Sequence, residues 1–277
     1  MTMYYIKHFV TRFLPMITAV IILFIHVGCA TKNNTAEILS SDPAWTQTQI
    51  DTPLPTVGWV RGQSDTVHIY IEGDGMAYTS RNRPSLDPTP RTPTGLLLAH
   101  EDDSEAVAYL GRPCQYVTGD ACAPVYWTTG RFSETVIQAE NLLVDEAKRL
   151  AGAKRVVLFG YSGGGAVATL LAARRTDVDM LVTICGNLDH EAWTRLHGVT
   201  ALDRSLNPTS VINRLSNIRQ IHFAGSEDEI VPPRIVQSFV NQLHRDTPVT
   251  VEVVDGLGHG GADWVKVWQT TLFKSKK

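Results

Sequence analysis

Residues 156–165 read VVLFGYSGGG, an unbroken apolar run that gives way to glycines around a single hydroxyl, Ser162. A short run of this kind predicts a strand buried on both faces. The residues that follow, GGGAVATLLAARR (163–175), are rich in alanine and leucine and predict a helix. A buried strand that turns straight into a helix is a building block of parallel sheets covered by helices, and it restricts the rest of the chain accordingly.

The rest of the sequence agrees. TVHIYIEG (66–73), AVAYLG (106–111), RVVLFG (155–160), DMLVTIC (179–185), RQIHFAG (219–225) and VTVEVVDG (249–256) all have strand length and end at or near glycine or a turn residue. Between them, RFSETVIQAENLLVDEAKRL (131–150) repeats apolar residues at three- and four-residue intervals, and PPRIVQSFVNQLHR (232–245) opens with prolines suited to a first helical turn. The expected architecture is α/β, a mostly parallel sheet with helices on both faces. It forms one domain over 56–277, with no internal repeat. Two segments interrupt the alternation after strand ends: 81–95, with four prolines, and the polar stretch 186–208. Open α/β sheets bind ligands beyond their strand ends, so both are candidate pocket walls.

The amino terminus follows other rules. MTMYYIKHFVTR carries Lys7 and Arg12 and no acid, and it leads into the apolar run 13–28 and then Cys29. This is the layout of a secretory signal, and the run is short against the ~20 residues of a spanning helix. Gly28-Cys29 resembles the exit of a bacterial lipoprotein signal, in which the cysteine is lipidated, although His26 stands where leucine is usual. A plain signal peptide and an uncleaved anchor are the alternatives. The expected divisions are a signal over 1–28 and a tether with a lead-in loop over 29–55, giving an exported protein in the cell envelope, lipid-anchored or periplasmic. In an exported chain, Cys114 and Cys122 suggest a local disulfide, and Cys185, at the end of an apolar run, reads as a buried thiol.

The formal charge of −3 offers no basic footprint, so nucleic acid is not an expected partner. There is no CxxC, HExxH or G-x-G-x-x-G pattern, and neither metal nor organic cofactor is expected. The chemistry lies in Gly160-Tyr161-Ser162-Gly163-Gly164, a G-x-S-x-G match between a predicted strand and a predicted helix. The turn needs small neighbours, and it would hold the hydroxyl out beside the Gly163 amide at the helix start. The same glycines also suit a purely structural turn. A nucleophilic serine needs a base and an acid to orient it. His259, between glycines in VVDGLGHGGADW, has the position and flanks for the base, unlike His68 and His222 within strands. Glu227, Asp228 and Glu229 follow one strand and Asp255 follows the next, and any of the four could be the acid.

Residues 57–272 resemble the α/β-hydrolases, and most closely a group of bacterial lipoprotein-like members. The words that carry the likeness are IEGDG (71–75), YLGRPCQY (109–116), GYSGGG (160–165), GNLDHEAW (186–193), SLNP (205–208) and AGSEDEIVPP (224–233). The order Ser…Asp…His is that of the family. Its G-x-x-D-x-x-V-P arrangement, counted from Gly225, selects Asp228 as the acid and leaves Glu227 and Glu229 facing solvent. IEGDG stands where many relatives carry histidine-glycine-glycine, which implies a second oxyanion donor from the amide of Asp74 or Gly75. The Asp74 carboxylate would then have to turn away and hydrogen-bond its own loop. Tyr161, Asn187, Asp189, His190 and Trp193 become candidate pocket residues, while Trp127 and Arg131 carry no clear assignment.

The resemblance therefore implies a serine hydrolase in which Ser162, Asp228 and His259 cleave a small-molecule or acyl substrate, with carboxylic esters first. Amide cleavage and acyl transfer use the same groups, and a non-catalytic envelope binding or scaffold protein is an alternative of another class.

Overall fold

The computed structural model describes residue 39 and residues 42–271. Ten strands are assigned among these residues. They are β1 (Thr46–Ile50), β2 (Thr56–Gly62), β3 (Thr66–Ile71), β4 (Tyr78–Ser80), β5 (Arg83–Pro84), β6 (Ala106–Leu110), β7 (Arg155–Tyr161), β8 (Val178–Ile184), β9 (Arg219–Gly225) and β10 (Val249–Val254). Eight of them form one sheet in the order β1-β2-β6-β3-β7-β8-β9-β10, and β4 pairs with β5 in a separate hairpin. From β6 to β10 every neighbouring pair is parallel, whereas β1–β2 and β2–β6 are antiparallel.

Position in the sheet accounts for each strand's composition. β7 lies between β3 and β8, is buried along Val156–Gly160, and so reads as a continuous apolar run. β10 is an edge strand, and its residues are exposed or only half-buried.

The helices are α1 (Thr94–His100), α2 (Glu134–Ala151), α3 (Gly163–Ala172), α4 (His190–His197), α5 (Pro233–Val240) and α6 (Gly261–Thr271). Two main cores, one per sheet face, hold all of them except α4. Ile137, Leu143 and Val144 of α2, Val167 and Leu171 of α3, and Val236 and Phe239 of α5 pack with Ile69, Ile71 and Leu158. On the other face Leu96 and Leu98 of α1 and Trp264 and Trp268 of α6 pack with Tyr70, Tyr109 and Phe159. α2 ends at Gly152, whose φ of +64° closes the last turn in the left-handed conformation.

One expected division is corrected. The described part of 29–55 is not merely a tether and loop. β1 pairs along the edge of β2, and Leu39, Trp45 and Leu54 are buried in the domain. The residues before 39, and with them the expected signal and Cys29, lie outside the described residues.

Candidate active site

Ser162 sits between β7 and α3 with φ +51° and ψ −118°, a conformation that L-residues adopt only under strong constraint. Its amide donates to Ile184 O (2.9 Å), and its carbonyl accepts from Gly165 N (3.0 Å) and Asn187 N (3.0 Å). The glycines make the turn sterically feasible. A Cβ on Gly160 would lie 2.4 Å from Gly164 O, and one on Gly164 would lie 2.3 Å from Ile71 O.

The expected partners converge on this hydroxyl. His259 follows β10 in the loop before α6, and its Nε2 is 3.0 Å from Ser162 Oγ. Its Nδ1 is 2.7 Å from Asp228 Oδ2. The other Asp228 oxygen accepts from the amides of Ile230 and Val231, each at 2.8 Å, which fixes the carboxylate's orientation. Burial works to raise the Asp228 pKa, but the hydrogen bonds from His259 and Val231 outweigh it and hold the carboxyl below its usual value. Glu227 and Glu229 are exposed, and Asp255 is an exposed turn residue bonded to Ser226 Oγ (3.2 Å). Tyr161 packs on the imidazole and donates its hydroxyl to the His259 carbonyl (2.6 Å).

Cys185 is buried beside Asp228, and burial together with that carboxylate's charge pushes its thiol pKa up. Potential ligand atoms of Cys185, Asp228 and His259 lie within 4.8 Å of one another, the one such trio among the described residues. The protonated thiol and the Asp228–His259 hydrogen bond leave this trio poorly prepared for a cation.

The IEGDG loop closes the other side. Gly73 packs on the serine, where a Cβ would lie 3.3 Å from Ser162 Cβ. Glu72, which sequence reasoning did not single out, is buried beneath the loop. It accepts from Gly73 N (2.8 Å), Gly95 N (3.0 Å) and the Tyr109 hydroxyl (2.9 Å). Gln115 Nε2 donates to Gly73 O (3.0 Å). Cys114 and Cys122 form the expected disulfide next to this support, with Cα atoms 5.8 Å apart.

The Asp74 carboxylate does turn away from the serine, but not onto its own loop. Oδ2 accepts from Arg131 Nη1 at 2.6 Å, and Oδ1 lies 3.4 Å from Arg112 Nη1. Arg112 Nε lies 3.2 Å from the buried Glu140 Oε1, close enough for charge pairing but misaligned for a hydrogen bond. Burial pushes the Glu140 carboxyl up to about 7, even with Arg112 opposing the shift. An aspartate bonds its own loop when no cation is near. Here two arginines distant in sequence offer the stronger charge-assisted bonds.

Ser162 opens onto a cleft of about 660 Å³ whose walls include Tyr161, Asn187 and Trp193, as expected. Asp189 and His190 are not among its lining residues. Asp189 caps α4 by accepting from Ala192 N (3.0 Å), and its other oxygen takes the Ser238 hydroxyl (2.7 Å). His190 is buried in the first turn of α4 beside Phe132. An aspartate three residues before the amide it caps is an N-cap signal, so this correction was available from DHEAW. Asn187 is buried in the cleft wall, and its Oδ1 has no hydrogen-bond partner among the described residues.

A mostly parallel sheet, helices on both faces and a tight strand-to-helix turn at a serine after the fifth strand in spatial order constitute the α/β-hydrolase fold. Solved structures of this class superpose along most of the chain. An esterase from Pyrococcus furiosus has a TM-score of 0.61 at 17% identity, covering 88% of this chain and 95% of its own. Est1E from Butyrivibrio proteoclasticus, with ferulic acid bound, has a TM-score of 0.60 at 13% identity, covering 83% of this chain and 97% of its own. An alpha-beta serine hydrolase homologue from Coxiella burnetii has a TM-score of 0.54 at 13% identity, covering 82% and 97%. No protein-family model matches the sequence, and no curated protein sequence does.

Proposed function

We propose that the protein is a serine hydrolase that cleaves carboxylic esters through an acyl-enzyme. The observation that carries this reading is the unbroken chain from Ser162 Oγ to His259 Nε2 (3.0 Å) and from His259 Nδ1 to Asp228 Oδ2 (2.7 Å), centred on a strained serine. Ser162 Oγ attacks the ester carbonyl carbon while its proton passes to His259 Nε2. The imidazolium that forms is stabilised and oriented by Asp228. The carbonyl oxygen becomes an oxyanion beside the amide of Gly163 at the start of α3, with the Asp74 amide as second donor. The Gly75 amide, on the same loop, is the alternative second donor. Each donor contributes about 3 kcal/mol to the transition state in comparable sites.

Collapse of the tetrahedral species transfers the His259 proton to the departing alcohol. Water then attacks the acyl-enzyme, giving its proton to His259, and the acid leaves as Ser162 recovers a proton. Turnover of short p-nitrophenyl esters that disappears in Ser162→Ala, with an unchanged circular dichroism spectrum, is the expected result. Equal turnover in the variant would sink the assignment.

The second part of the proposal concerns location. The basic, apolar and Gly28-Cys29 succession motivates export with lipid attachment at Cys29, which would place the enzyme in the cell envelope. Labelled palmitate should enter the wild type and not Cys29→Ser. Incorporation that survives the substitution would refute the lipid anchor.

A further inference from the structure

The cleft around Ser162 contains arginine charge that its own carboxylates do not answer. Two acids line it, Glu72 and Asp74. The Glu72 oxygens already accept from two amides and the Tyr109 hydroxyl, and burial holds the carboxyl above its usual pKa range. Both Asp74 oxygens face arginines. On the cationic side, Arg131 is 8% exposed at its side chain. Its Nε donates to Thr128 O (2.7 Å) and its Nη1 to Asp74 (2.6 Å). Its Nη2 has no acceptor among the described residues, although the side chain lines the cleft. Arg91 stands exposed on the same wall and forms no ion pair with any described residue.

A guanidinium held this rigidly has lost little further freedom when a carboxylate arrives, and it presents a fixed edge suited to one. Its location limits where that carboxylate lies in a substrate. The same Asp74 that holds Arg131 comes within 2.0 Å of where a Cβ on Gly163 would be, so Arg131 is one side chain removed from the residue after the nucleophile. Trp193 and Ile230, elsewhere in the cleft lining, offer apolar surface for the remainder of the molecule.

Resting on the serine-hydrolase reading above, we infer that the substrates are esters bearing a carboxylate within a few bonds of the scissile carbonyl. The carboxylate binds at Arg131, and Arg91 supplies a second positive charge from the exposed wall. Arg131 also holds the oxyanion loop through Asp74, so binding of the anion and positioning of the loop share one side chain.

The test compares kcat/KM of the purified full chain on two matched pairs, followed by acid release at pH 7.5. Monoethyl succinate against ethyl butyrate puts the carboxylate in the acyl half. O-acetylglycolate against propyl acetate puts it in the alcohol half. One anionic ester is expected to exceed its neutral counterpart by about tenfold, the scale of one charge-assisted contact. In Arg91→Gln that preference should shrink chiefly through a higher KM, and in Arg131→Lys it should shrink with the loss of the fixed edge. The Arg91 substitution is at an exposed position, so the test does not depend on the folding of an Arg131 variant.

Neutral esters turned over as well as or better than both anionic ones would overturn the inference and leave the Ser162 chemistry standing. Covalent fluorophosphonate labelling of Ser162 without turnover of any of the four esters would overturn the inference alone. Absence of both labelling and turnover would remove the hydrolase reading, and the inference with it.

Discussion

Asp74 places one carboxylate oxygen 2.6 Å from Arg131 Nη1 and lays the other against Gly163, where a Cβ would come within 2.0 Å of it. An acid beside a forming oxyanion would oppose catalysis if its charge were free. Paired with two arginines, it instead anchors the loop whose amide is proposed to serve the oxyanion. Asp74→Ala should therefore lower kcat at least tenfold, at roughly constant KM for a neutral ester. It should also cost about 3 kcal/mol of stability, because the buried Arg131 loses its carboxylate and Arg112 keeps only Glu140. Ester kinetics and urea denaturation read the two effects separately, and an unchanged kcat would detach Asp74 from the site.

Gly163→Ala tests the same contact from the opposite side. The new methyl group cannot coexist with Asp74 Oδ1 where it stands, so the loop must shift and carry its amide away. The expected loss is about a hundredfold in kcat, comparable to removing one oxyanion donor. Overpacking should cost a further ~1–3 kcal/mol of stability. A crystal structure of the variant with Asp74 undisplaced would contradict the steric argument.

The two arginine partners of Asp74 lie 38 and 57 residues along the chain, and that separation explains what the sequence could and could not reveal. Six strands, the glycine-rich turn at Ser162 and His259 are legible because each is a local pattern, an apolar run or a glycine cluster, whereas Asp228 stands out from its neighbouring acids only through the resemblance. β1 was hidden because an edge strand with an exposed face, TQTQI, has no continuous apolar signature. Glu72 reads only as the polar end of the predicted strand 66–73, and only the fold brings Gly95 and Tyr109 to it. At Asp189 and His190 the sequence leaves two readings open, because polar residues after a strand suggest a ligand wall as readily as a helix cap.

Stability should fall as the medium is acidified, for a specific reason. His222 is buried against Thr183 Oγ1 (2.8 Å) and Gln220 Oε1 (3.2 Å), and burial pushes its imidazole down to about 3 from 6.5. The contribution of the neutral ring is complete above pH 6.5 and is lost as the pH falls from there toward 3, because the unfolded chain takes up the proton first. Burial alone would raise the Asp102 carboxyl, but His68 holds it down to about 2, so its contribution is lost only as the pH falls from 3.8 toward 2. The urea midpoint should accordingly drop between pH 6.5 and 4, and His222→Asn should flatten that slope by up to one proton. Parallel pH profiles for wild type and variant would exclude His222 as the cause.

The Cys114–Cys122 disulfide closes a short loop beside Gln115, which in turn holds Gly73. Replacing both cysteines by serine should lower stability by about 2–3 kcal/mol. Ester turnover should fall along with it as the support of the loop loosens. Full activity in a measurably destabilised double variant would confine the disulfide to a role in stability.

The central claim is that His259 and Asp228 make Ser162 nucleophilic. Its most direct measurement is fluorophosphonate labelling of the purified protein, with the modified peptide located by mass spectrometry, alongside Ser162→Ala and His259→Ala. The account predicts one phosphonyl group on wild type, at Ser162, and none on either folded variant. A folded wild type that takes no label, or a His259→Ala variant labelled as fast as wild type, would contradict it.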